Sequence, residues 1–331
     1  MQSLEKLWKK GKDFLGTEYA ILCGAMSWVS ERNLVGAISN AGGFGVIACG
    51  SMSPSLLDAE IKATRTITSK NFGVNLIVMH PQLDELIDVC INNKVTHVVL
   101  AGGIPKGSAI EKIKNSNSKV ICFAPTLSMA KKLVKMGVDA LIIEGSEAGG
   151  HIGPVSTIVL AQEILPYIKD VPVFVAGGIG RGESIAMLLK MGASGCQLGT
   201  KFVCANESIA HANFKRTFIR ASARDATVSV QIDPDFPVIP VRSIANNATG
   251  DFVRTQLESI AEFKNGNLSK IDAQLKIEHY WAGALRRAVI DGDVENGSIM
   301  AGQSVGFVES EQPALVIMQE LIEQARSVLN A

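Results

Sequence analysis

Between residues 19 and 200 the chain repeats one pattern eight times: a short apolar run, then a longer stretch with helical spacing. The runs fall at 19–25, 45–49, 72–78, 97–101, 119–124, 140–144, 171–176 and 195–199. Most are continuously apolar rather than alternating, as parallel strands buried on both faces are. The segments between them carry amphipathic stripes: Leu83, Leu86, Ile87, Cys90 and Ile91 stand at i, i+3, i+4, i+7 and i+8. Ser128 is placed to cap a helix that contains Leu133 and Val134 and ends at Gly137. The tail of that helix, Val134-Lys135-Met136-Gly137, is echoed by Leu189-Lys190-Met191-Gly192, again just before an apolar run. Repeated strand–helix units of this number predict an α/β fold, the TIM (β/α)8 barrel, whose usual size is about 250 residues. An open dinucleotide-binding sheet is less attractive. Its glycine fingerprint is approached only at Gly178-Ile179-Gly180-Arg181-Gly182-Glu183, which has Glu where the last Gly belongs and lies late in the chain.

After Thr200 the pattern changes. Residues 206–290 hold no apolar run of comparable strength and read as mostly helical, with an irregular, proline-containing stretch at 231–241. Residues 291–303 are glycine-rich, and 313–329 read as a terminal helix. The expected organisation is a barrel over 1–205, a smaller, mainly helical region over 206–300 on the substrate side, and a segment at 301–331 returning to the barrel.

Composition excludes several function classes. Lys plus Arg and Asp plus Glu number 32 each, so the basic excess of a nucleic-acid binder is missing. Small basic groups (Lys9, Lys10, Lys12; Lys131, Lys132, Lys135) read as solvated helix faces. The six cysteines form no CxxC pair, and no His or carboxylate pair recurs at metal-ligand spacing, so no metal site is expected. No stretch is long and apolar enough to span a membrane. The first residues mix charge with apolar groups and lack the apolar stretch of a signal peptide, so a cytoplasmic location is expected.

In such a barrel the working residues sit at the C-terminal ends of strands. Those ends read Gly24-Ala25-Met26-Ser27-Trp28, Gly73-Val74-Asn75, Glu144-Gly145-Ser146-Glu147-Ala148-Gly149-Gly150-His151-Ile152-Gly153, Ala176-Gly177-Gly178-Ile179-Gly180 and Gln197-Leu198-Gly199-Thr200. Glycines at the last two ends let backbone N–H groups approach a phosphate, with the Thr200 hydroxyl beside them. The plainer reading is that they only tighten turns. Gly42-Gly43-Phe44-Gly45 precedes a strand and reads as a structural turn. His151, between glycines on a thin loop, has room to donate a proton or hold an anion. His80, His97, His211 and His279 lack that setting. Asn75 and Gln197 are polar inside apolar runs, each either a satisfied core amide or a ligand to a heterocycle. With Met26 nearby, they suit a flat, polar-edged ring set over a phosphate corner, which is the shape of FMN.

These residues resemble the nitronate monooxygenase / 2-nitropropane dioxygenase superfamily, and within it the FMN-dependent enoyl-acyl-carrier-protein reductases. The resemblance runs from about Ala20 to the C-terminal helix. Its most specific stretch is the Glu144–Gly153 turn, and its reductase character rests on Glu207-Ser208-Ile209-Ala210-His211, Gly283-Ala284-Leu285, Gly292-Asp293-Val294 and residues 297–303. It implies non-covalent FMN at Gly24, Ala25, Met26, Asn75, Glu144, Gly149, Gly150, Gly177, Gly178, Gln197, Leu198, Gly199 and Thr200, with His151 catalytic. It further implies NADH or NADPH as reductant, an enoyl-acyl-carrier-protein thioester of fatty-acid synthesis as substrate, and a homodimer. Nitronate oxidation with O2 and NAD(P)H:quinone reduction use the same barrel and histidine. From other classes, a flavin-free sugar-phosphate isomerase or synthase would use the same glycine loops without needing Asn75 and Gln197, and His151 argues against a non-catalytic binding protein. Ala25 departs from the Gly common in the family, and a methyl there reshapes the flavin or substrate edge.

Overall fold

The computed structural model describes residues 3–233, 236 and 238–330, together with the backbone but not the side chains of 278, 279, 282 and 330. The side chain of His279, the extreme ends of the expected barrel and C-terminal units, and three positions of the irregular 231–241 stretch therefore lie outside the description. Among the described residues there are twelve strands. β1 (Ile21–Cys23), β2 (Gly45–Ala48), β3 (Phe72–Ile77), β4 (His97–Ala101), β5 (Lys119–Phe123) and β6 (Ala140–Glu144) come first in the chain. They are followed by β7 (Gly150–His151), β8 (Val173–Ala176), β9 (Gly195–Leu198), β10 (Ala226–Val228), β11 (Val241–Ile244) and β12 (Ile299–Met300).

Eight of these pair in the order β1-β9-β8-β6-β5-β4-β3-β2, all parallel, and correspond one by one to the eight apolar runs. Phe44 joins the two ends of the row: its N–H donates to the Ile21 carbonyl and its own carbonyl accepts from Cys23 N–H, both at 2.9 Å. The chain is thus a (β/α)8 barrel. Gly45 belongs to that seam, since a Cβ there would stand 2.4 Å from the Val35 carbonyl oxygen. The glycine run 42–45 is structural, as its position before a strand suggests.

Helix ends follow local chemistry with one shift. The Leu127–Lys135 helix is capped by Thr126, whose Oγ1 accepts from Met129 N–H at 3.2 Å, and not by Ser128. Two candidate hydroxyls lie two residues apart, and the one with extended backbone takes the cap. Below the barrel, opposite the strands' C-terminal ends, the Lys9–Leu15 helix closes the floor. A Cβ on Gly11 would fall 2.0 Å from the Ser194 carbonyl oxygen, so the helix backbone lies directly on the chain entering β9.

A feature absent from the sequence reading is a second sheet. β10 and β11 pair antiparallel, β12 adds to β11 on one side, and the short β7 adds at its other end. Strands of two to four residues are too brief for a two-residue period to stand out. The rest of this region is helical as expected: the Asn247–Lys264 and Lys270–Val289 helices enclose a separate apolar core of Phe236, Val241, Phe252, Ile260, Ile277 and Trp281. The terminal Ala314–Asn330 helix returns to the barrel, where Gly182 lets it approach so closely that a Cβ would meet the Leu321 carbonyl oxygen at 1.9 Å.

Candidate active site

Each strand delivers one part of the barrel mouth. After β1, Gly24 N–H donates to the Leu198 carbonyl at 2.8 Å, which locks the first loop to the last strand. Ser30 Oγ donates to the Gly24 carbonyl at 2.7 Å and accepts from Met26 N–H at 3.1 Å. Met26 in turn lies over Gly199, its Sδ 3.3 Å from where a Cβ would be. Trp28 follows with φ of 66°, an unusual conformation for a bulky residue. The Arg286 guanidinium lies 5.8 Å from its ring centroid and ties this loop to the helical region.

Across the mouth, Asn75 is buried within β3 and its Oδ1 has no hydrogen-bond partner among the described residues. A buried amide oxygen left without a donor is costly, so an acceptor in this position fits a ligand that brings one. Glu144, Ala176 and Gln197 are register partners on three adjacent parallel strands. Register partners share a face, so a carboxyl and an amide project together with only a methyl between them. Burial alone pushes the Glu144 carboxyl up to about 7.

The corner expected to receive a phosphate is built from glycines and held from behind. Gly177 and Gly178 have φ of 99° and 68°, which turns the chain sharply after β8. Behind them, Glu147 Oε2 accepts from both the Thr157 N–H and the Thr157 hydroxyl at 2.9 Å. A cavity of about 530 Å³ opens at this loop, with Glu147, Thr157, Gln303 and Phe307 in its wall. Thr200 Oγ1 accepts from Gly302 N–H at 3.0 Å, leaving its hydroxyl hydrogen available to a ligand oxygen. Gly149 presses on the backbone of the 301–302 segment: a Cβ there would lie 2.6 Å from the Ala301 carbonyl carbon.

His151 is presented by β7. Gly150 turns with φ of 79°, His151 pairs with Val241, and Ile152 N–H continues the contact to the Pro240 carbonyl at 3.0 Å. The loop after β6 is therefore not a free excursion but an edge strand of the second sheet, with the imidazole exposed. Arg242, the register partner of Gly150, fixes this arrangement. Its Nε donates to the Ser146 carbonyl at 2.9 Å and its Nη1 to the Ala226 carbonyl at 2.6 Å.

The structure brings the sequence-derived residues together: Gly24 to Met26, Asn75, Glu144, the glycine corner, Gln197 to Thr200 and the His151 strand all ring one barrel end. His97 lies at the opposite end and His211 caps the Ala212–Arg220 helix. Sequence reasoning missed Arg242 and Met300, whose Sδ lies 3.5 Å from a Cβ position on Gly150. Arg242 sits beside an irregular stretch and its partner Ser146 is 96 residues away, so no local signal marks it. Among the described residues no group of His, Cys, Asp or Glu could hold a metal ion, and no helix is long and apolar enough to cross a membrane.

Fold and site together define a (β/α)8 barrel enzyme whose candidate residues gather at the C-terminal ends of its strands. The family model for nitronate monooxygenase matches residues 9–89 and 81–324, and the chain belongs to that family of oxidoreductases, whose members are flavin-dependent. Among solved structures, FabK from Thermotoga maritima aligns with a TM-score of 0.86 and 34% identity, covering 100% of this chain and 98% of that one. A curated relative from Rhodococcus jostii, a 5-hydroxy-7a-methyl-1-oxo-octahydro-indene-4-carboxyl-CoA dehydrogenase, is 34% identical over 67% of this chain. That alignment spans 62% of the relative's length. A probable nitronate monooxygenase from Staphylococcus aureus is 27% identical over 98% of this chain and 99% of its own length.

Proposed function

We propose that this chain is an FMN-dependent NAD(P)H oxidoreductase that reduces the double bond of an enoyl-acyl-carrier-protein thioester. The observation that carries the flavin assignment is the orphaned, buried Asn75 Oδ1 at a mouth whose far side is the Gly177–Gly178 and Gly199–Thr200 corner. A polar acceptor for a ring N–H on one side and a cluster of N–H donors for a phosphate on the other match the two ends of FMN. The enoyl-thioester assignment is supported by the motifs after Thr200 and by the agreement with FabK along the whole chain.

When bound, FMN supplies acceptance of a hydride from the nicotinamide and its delivery to the β-carbon of the substrate. The chain's own residues do the rest. Asn75 and Gln197 orient the ring edge, and Met26 covers one side of the site. The N–H groups of Gly178 and Gly199, with the Thr200 hydroxyl, hold the phosphate. His151 offers a ring N–H to the thioester oxygen, where negative charge builds as the hydride arrives. Its exposed position on β7 leaves it open to solvent for proton exchange.

A second reading, oxidation of alkyl nitronates with O2, is favoured by the family model and the staphylococcal relatives. Anaerobic stopped-flow absorbance of the flavin-loaded protein separates the two. Rapid bleaching by NADH or NADPH, then recolouring by crotonyl thioester, supports the reductase. Bleaching by propyl nitronate but by neither nucleotide transfers the assignment to nitronate oxidation. A chain that cannot be loaded with FMN defeats both.

A further inference from the structure

We propose that Glu144 takes up a proton from solvent when two electrons enter the ring held at the barrel mouth, offsetting inside the protein the charge that hydride transfer adds. This rests on the flavin reading above and extends it to a residue whose family-implied role is only contact. The geometry is a carboxyl at the C-terminal end of β6, on a residue of intermediate exposure, in one row with Ala176 and Gln197. No salt bridge to Glu144 is present among the described residues.

Among the described residues, no neighbouring charged group forms an ion pair or hydrogen bond with the Glu144 carboxyl. On β5, Lys119 lies at the far end of the strand, and the Cys122 thiol is pushed up to about 12 by burial. Glu163, on the adjacent Thr157–Ile164 helix, accepts from Leu127 N–H. Glu147 is held by Thr157, and Arg242 by two backbone carbonyls. β8 carries no titratable group. Burial is accordingly the one cause that moves Glu144, to about 7, the point at which a small change in local charge alters its proton occupancy most.

The step balances as follows. A reduced nicotinamide dinucleotide gives up a hydride and becomes the oxidised cation. The ring gains two electrons and one proton, and thus one negative charge. That like charge raises the proton affinity of the neighbouring carboxylate, which binds one proton from water. When the hydride moves on to the acceptor, the carboxylic acid returns its proton.

The test is an anaerobic spectroelectrochemical titration of the full-length, FMN-loaded protein from about pH 5.5 to 8.5, for the native chain and Glu144→Gln. Above about pH 7 the native protein should take up close to one more proton per two electrons than the variant, read from the slope of midpoint potential against pH. Below about pH 6, where Glu144 is already protonated, the slopes should coincide. Reduced-minus-oxidised infrared spectra of the native protein at about pH 8 should show a protonated-carboxyl band, so the test survives a variant that fails to fold. Equal slopes together with no carboxyl band overturn the role of Glu144 while leaving the flavin reading intact. Failure of the native chain to bind FMN overturns the flavin reading itself, and Glu144's role with it.

Discussion

Gly178 shows how one backbone angle commits a side chain elsewhere. Its φ of 68° is comfortable only for glycine, and a Cβ would come within 2.9 Å of Glu147 Cβ. Gly178→Ala should therefore cost about 1–3 kcal/mol of stability and weaken FMN affinity, measurable by thermal unfolding and fluorescence titration. His151 predicts the opposite pattern, because its ring makes no part of the barrel core. His151→Ala should retain the flavin spectrum yet lower turnover of an enoyl thioester by roughly 10²–10⁴-fold, the span of general acid–base catalysis. An unchanged rate would remove His151 from the chemistry. Glu144 adds a stability term of defined sign. Its folded pKa of about 7 stands above the ordinary 4.5, so folding favours its protonated form and its ionisation is a cost that is absent in acid and complete above about pH 7. Glu144→Gln should raise the melting temperature at pH 8 and leave it nearly unchanged at pH 4. Polar residues inside apolar runs, such as Asn75 and Gln197, were legible from sequence because strand chemistry makes them conspicuous. The behaviour of Glu144 was not, because it depends on what packs around the carboxyl after folding.

At the scale of elements, the second sheet decides where His151 stands. β7 exists because β11 offers it an edge, and Arg242 binds the carbonyls of Ser146 and Ala226 on either side of that junction. Arg242→Met removes two charge-assisted hydrogen bonds and leaves two carbonyls to find water. We expect a loss of about 2–4 kcal/mol and a fall in enoyl reduction, with FMN binding largely kept. Calorimetry and flavin absorbance read the two parts separately; loss of flavin with little change in stability would place Arg242 in a different role. The barrel elements were readable because each is a buried apolar run of several residues. β7, β10, β11 and β12 were not, since pairing between distant segments creates them and no internal period announces them.

The whole molecule carries a pH limit at the end opposite the active site. His97 is buried at the start of β4, its Nε2 3.0 Å from the Phe14 carbonyl and its ring edge-on to Phe14 and Phe44. Burial lowers its pKa to about 4, against the hydrogen bond its ring donates to the Phe14 carbonyl, which raises it. The folded state holds the neutral imidazole, so this contribution is complete above about pH 6.5 and is lost as pH falls towards 4. It amounts to about 3 kcal/mol at most. His97→Gln should flatten the decline in melting temperature between pH 6.5 and 4.5, and an unaltered decline would place the acid sensitivity elsewhere.

The sheet that carries His151 is assembled from residues 150–151, 226–228, 241–244 and 299–300, four short segments drawn from well-separated parts of the chain. During synthesis the eight barrel strands leave the ribosome about a hundred residues before β12 does. A nascent chain can therefore close its barrel while the strand bearing the histidine still lacks its partners. On the proposed assignment, a chain cut short between β9 and β12 keeps a shell for the ring without the sheet that directs what the ring does.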